Sequence, residues 1–104
     1  MFTLEIDIEA RAEIHQAADY YDRQSSGLGT RFEADLMRTR DRILLNPLMY
    51  AEEDDGFRYA LLDIFPYSLI YHSDADRILV VAVAHHKQRP GYWQPTYTKL
   101  ETNI

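Results

Sequence analysis

Seven consecutive apolar residues, Ile78 to Ala84, run straight into two histidines, a lysine, an arginine, a proline–glycine pair and two large aromatics ending at Trp93. A short apolar run rich in β-branched side chains reads as a buried strand. Such a strand must be covered by the rest of the chain, and 104 residues allow one compact domain to do it. The strand also delivers His86, Lys87, Arg89 and Tyr92 to one edge of that domain. Side chains of these types can hold an anion or exchange protons near neutral pH.

The remaining elements follow from hydrophobic period. Phe2 to Ile6 alternates apolar with polar residues, as a half-buried strand does. From Glu9 the period lengthens: Ile14, Ala17, Ala18 and Tyr21 recur on one helical stripe. The segment Gln24-Ser25-Ser26-Gly27-Leu28-Gly29 breaks this helix, and a second is predicted from Thr30 to Leu45, with Phe32, Leu36 and Ile43 on one face and Arg38, Asp41 and Arg42 on the solvent side. Asn46-Pro47 ends it, because the residue before proline is pushed out of helical geometry. Glu52 to Asp55 is expected to be a solvated acidic loop. Phe57 to Ile64, Tyr67 to His72 and Arg77 to Ala84 then read as three strands with connections short enough for an antiparallel meander. The predicted fold is α+β: a small antiparallel sheet covered by an N-terminal helical hairpin, in the order β-α-α-β-β-β. Residues 1–93 form the domain, and 94–104, which have no clear period, form a tail.

Composition excludes several chemistries. The absence of cysteine removes disulfides, thiolate metal sites and cysteine nucleophiles. The four glycines form no phosphate loop, and serine–histidine–aspartate catalysis lacks any nucleophile-elbow context. Among the four histidines, the adjacent pair His85 and His86 should point to opposite sides of a strand and so cannot easily share a zinc ion with His15 and His72. No metal and no cofactor is expected. No signal peptide and no membrane span is evident, so the chain is taken as cytoplasmic. Charge is uneven: residues 1–57 carry 13 acidic and 6 basic side chains, residues 58–104 carry 4 and 5. At a net charge of −6, long-range steering opposes a nucleic-acid partner, although a local basic site can still operate.

Five stretches, in order, are similar to the RelE/ParE superfamily of toxins from type II toxin–antitoxin systems, in particular its ParE-like, plasmid-stabilisation branch. They are Ala17-Ala18-Asp19-Tyr20-Tyr21, Gly29-Thr30-Arg31-Phe32, Ile43-Leu44-Leu45-Asn46-Pro47, Phe65-Pro66-Tyr67-Ser68-Leu69-Ile70-Tyr71, and His86-Lys87-Gln88-Arg89-Pro90-Gly91-Tyr92-Trp93. The resemblance implies a cytoplasmic toxin that a cognate antitoxin protein silences. It implies one of two modes of growth inhibition. A ParE-like member binds and poisons an essential target such as DNA gyrase; a RelE-like member is a metal-independent endoribonuclease that cuts mRNA on the ribosome.

The two modes assign different roles to the same residues. For RNA cleavage, His86 would exchange protons, Arg58 and Arg89 would clamp the scissile phosphate, and Tyr92 would donate to an oxygen or stack on a base. Arg89 falls where RelE-like members carry a catalytic arginine, and Arg58 lies on the strand where they carry another basic residue. For target binding, Lys87, Trp93 and Tyr71 join them as contact residues. The helices carry no lysine to anchor ribosomal RNA, which favours the binding mode. Whether the chain forms a homodimer is left open.

Overall fold

The computed structural model describes residues 2–89 and 91–94. The elements are β1 (Thr3–Ile6), α1 (Ile8–Gln24), α2 (Leu28–Leu45), β2 (Arg58–Leu61), β3 (Tyr67–Asp74) and β4 (Arg77–His85). Their order and α+β class are as the sequence predicts. The four strands form one sheet in the order β1-β4-β3-β2. The last three strands make the expected antiparallel meander, while β1 joins β4 in parallel, with Ile6 beside Val80, so the sheet is mixed. No helix among the described residues is long and apolar enough to cross a membrane.

Local chemistry sets the helix boundaries. The Asp7 side chain caps α1 by accepting the Glu9 N–H at 3.3 Å. At the other end the Ser25 N–H bonds to the Tyr21 carbonyl, and Gly27 takes the left-handed conformation (φ 85°) that begins α2 two residues earlier than the periodicity predicts. Gly29, read in the sequence as part of the break, lies inside α2. Its lack of a side chain serves packing: a Cβ there would stand 2.4 Å from the Ala18 carbonyl oxygen on α1.

The helices cover one sheet face. Ala17, Phe32 and Ile43 meet Ala60, Leu69, Tyr71, Ile78, Val80 and Val83 in the main core. The rings of Tyr21, Phe32, Phe65 and Tyr67 meet here edge to face, for example Tyr21 to Phe65 at 4.8 Å between centroids. Each such pair contributes roughly 0.5–1.5 kcal/mol beyond its buried area. A bulge then shifts the β3–β4 register: Ile70 pairs with Ala82 but Tyr71 pairs with Val80. The extra residue puts Val81 and Ala82 together on the opposite face, with Phe57, Ile70 and Trp93 in a second cluster.

Asp35 ties helix to sheet. Its carboxylate, wholly buried on α2, accepts the N–H groups of Asp63, Ile64 and Phe65 at 3.2, 2.9 and 2.9 Å. Burial alone would raise its pKa, but these three donors and Arg38 outweigh it and hold the carboxyl below the usual aspartate value. The turn so fixed ends β2 at Leu61, three residues short of the strand to Ile64 that alternation predicts. Arg42, expected on the solvent side of α2, is half-buried and pairs with Asp63 in that turn at 2.9 Å.

Candidate functional site

On the sheet face away from the helices, Ser68 and Ala84 lie opposite each other on β3 and β4. Both are small, and they leave a hollow of about 180 Å³ whose floor continues to Ile70 and whose walls are Tyr59, His86, Gln88, Arg89, Tyr92 and Trp93. His86 is placed by its backbone: just past the end of β4, its N–H bonds to the Pro66 carbonyl at 2.9 Å. That carbonyl follows the turn held by Asp35. The His86 imidazole then meets Ser68, Nε2 to Oγ at 3.1 Å. His85 takes the other side, its ring edge-on to Tyr67 at 5.0 Å, so the neighbouring histidines diverge as strand geometry requires.

The wall beyond His86 is the turn leading to Gln94. The Tyr92 N–H bonds to the Arg89 carbonyl and Gly91 has φ 74°, two marks of a type II turn; the proline of that turn lies outside the described residues. Two carboxylates fasten the wall. Tyr92 donates its hydroxyl to Glu13 on α1, and Asp55 accepts from both Tyr59 (2.6 Å) and Gln94 (3.0 Å). Burial raises the Tyr92 and Tyr59 pKa values, and the adjoining carboxylates raise them further, so both phenols stay protonated donors. Trp93 lies between, buried, 4.6 Å from Phe57. It belongs to the folded domain, and of the predicted tail only Gln94 lies within the described residues.

Of the residues singled out in the sequence, His86, Arg89, Tyr92 and Trp93 converge on the hollow. Lys87 stands exposed beside it. Arg58 does not converge. It pairs with Tyr71 on the helix-covered face and donates to the Tyr50 carbonyl, whereas its neighbour Tyr59 faces the hollow. Tyr71 is fully buried, its hydroxyl on the Pro47 carbonyl, and burial pushes its pKa up to about 12. As placed it is a core residue rather than a contact surface.

The match to a family model decides the assignment: a model described as the ParE toxin of the type II toxin–antitoxin system parDE covers residues 4–90. The chain belongs to the ParE toxin family. Among solved structures, this ParE-family chain is similar to one from the chromosomal ParDE toxin–antitoxin system of P. aeruginosa. That match has a TM-score of 0.72 at 16% identity and covers 82% of this chain and 96% of the other, which establishes the shared fold. A comparison with curated protein sequences finds no match.

Three residues that shape the ParE-fold site escaped sequence reasoning. Asp55 lies in the acidic run read as a solvated loop, and neither Glu13 nor Ser68 is singled out by the sequence. The available signal is a pair of small residues, Ser68 near the start of β3 and Ala84 near the end of β4, which the hairpin register brings opposite each other.

Proposed function

We propose that this ParE-family chain is the toxin of a type II pair, held inactive in the cytoplasm by a cognate antitoxin protein. Released, it stops growth by binding an essential protein target, DNA gyrase being the family-based expectation. The observation that carries the binding mode is the separation of Arg58 from Arg89. The phosphate clamp expected for RNA cleavage puts both guanidinium groups on one phosphate. Here Arg58 is spent on the Tyr50 carbonyl, on the far side of the sheet from the hollow. What remains around His86 is an aromatic-walled hollow with exposed Lys87 and Arg89 beside it, suited to docking a protein surface.

The test is inducible expression in a bacterial host with separate labelling of DNA and protein synthesis, together with a supercoiling assay of purified gyrase. Early arrest of DNA synthesis and inhibited supercoiling support the proposal. Early loss of protein synthesis with cleaved mRNA would overturn it in favour of ribosome-dependent cleavage.

A further inference from the structure

We propose that the hollow over Ser68 and Ala84 is a socket for one leucine- or phenylalanine-sized side chain of the bound partner protein, and that carboxylates next to that residue in the partner dock on Lys87 and Arg89. This rests on the protein-binding reading above and names what the partner must carry.

Three observations support the socket. Its surface is mostly carbon: Ala84 and Ile70 below, the rings of Tyr59, Tyr92 and Trp93 around, with Ser68 and His86 already hydrogen-bonded to each other. Water there finds few partners, so an apolar side chain displaces it favourably. Second, the walls are fixed in advance. The Tyr59 and Tyr92 hydroxyls are held by Asp55 and Glu13, which leaves their carbon surface to line the hollow. A pre-formed pocket reduces the ordering cost of binding.

Third, charge around the socket is lopsided. Exposed Lys87 and Arg89 lie at the exit of β4, while Asp55 stands behind Tyr59 and Glu13 behind Tyr92. A partner carboxylate is therefore attracted on one side and repelled on the other two, which orients the docking segment. A nucleic-acid strand carries a charge at every nucleotide and meets both signs, and the chain as a whole has net charge −6.

Trp93 is the single tryptophan and forms part of the socket wall, so its fluorescence reports occupancy directly. The probes are a blocked peptide with one leucine followed by glutamates, its twin with lysines, a twin with serine for leucine, and single-stranded oligouridine. The expected result is saturable change in Trp93 emission with the leucine–glutamate peptide, about tenfold tighter than with either twin. Ala84→Leu, which fills the socket, should abolish the response, and Arg89→Glu should shift the preference toward the lysine twin. Equal binding of leucine and serine peptides, unchanged binding by either variant, no saturable binding, or a preference for oligouridine would each overturn the socket. Growth separates the two ideas. A wild-type chain that leaves growth unaffected defeats the toxin reading, whereas arrest by wild type and Ala84→Leu alike defeats the socket alone.

Discussion

Glu13 accepts the backbone N–H of Val83 at 3.0 Å, a contact between residues 70 apart. β1 covers β4 only as far as Val80, and beyond it no strand among the described residues pairs with that edge of β4. Glu13 fills that place at Val83, and the Gln88 side chain does the same at the His85 N–H (2.8 Å). Open edges invite pairing with other chains, and side-chain acceptors close this one. Because the other Glu13 oxygen takes the Tyr92 hydroxyl, one carboxylate fastens both the sheet edge and a wall of the site.

Glu13→Ala should therefore cost about 1–3 kcal/mol by orphaning a part-buried N–H and a phenol. Urea unfolding followed by Trp93 fluorescence measures it, and an unchanged midpoint would contradict the account. The pH dependence has a definite sign. Burial raises the Glu13 pKa above its ordinary 4.5, against the lowering effect of its Tyr92 and Val83 bonds, so the folded state holds this proton more tightly. Its contribution is greatest below 4.5 and falls as pH rises through the raised value. Glu13→Gln should remove that dependence.

Asp35 runs the opposite way. Its folded pKa lies below the ordinary 3.8, so its contribution is complete above that value and is lost as pH falls through the lowered one. Asp35→Ala leaves three backbone donors of the β2–β3 turn unpaired and should cost about 3–5 kcal/mol at neutral pH. Asp35→Asn should also blunt acid destabilisation below pH about 4. The check is the urea midpoint of each variant across pH; a mutant curve parallel to wild type would refute the assignment.

Gly29→Ala should destabilise by about 1–3 kcal/mol, because the new methyl meets the Ala18 carbonyl unless the helices separate. Gly27→Ala is the control: its Cβ meets nothing within 4 Å, but its φ of 85° costs backbone strain alone. Thermal melts of both distinguish packing from strain, since only the Gly29 variant should loosen the α1–α2 contact seen by hydrogen exchange.

Element order was legible because each helix or strand shows its period locally, as Ile14-Ala17-Ala18-Tyr21 does. The patch from His86 to Trp93 was legible for a similar reason: polar and aromatic residues follow a buried strand without a break. What escaped depends on contacts between distant segments. Parallel pairing of β1 with β4 leaves no mark in four residues of alternation. The Val81 bulge is hidden in a uniformly aliphatic run. Glu13 and Asp55 differ from solvated carboxylates only in what the folded chain brings to them. Arg58 shows the same limit: alternation put it opposite Phe57 and Tyr59, but only the assembled sheet shows that this places it across from Arg89.

Arg58 and Arg89 should consequently fail in different ways. Arg58 braces the segment after α2 through the Tyr50 carbonyl, so Arg58→Ala should lower stability by about 1–3 kcal/mol. Any loss of growth arrest should then follow the reduced amount of folded protein. Arg89 is exposed, so Arg89→Ala should leave stability within about 0.5 kcal/mol of wild type yet relieve growth arrest. Paired melting curves and growth assays at matched soluble protein level test this. If Arg58→Ala abolished arrest at full stability, Arg58 would act directly on the target, and the separation that supports the binding mode would lose its force.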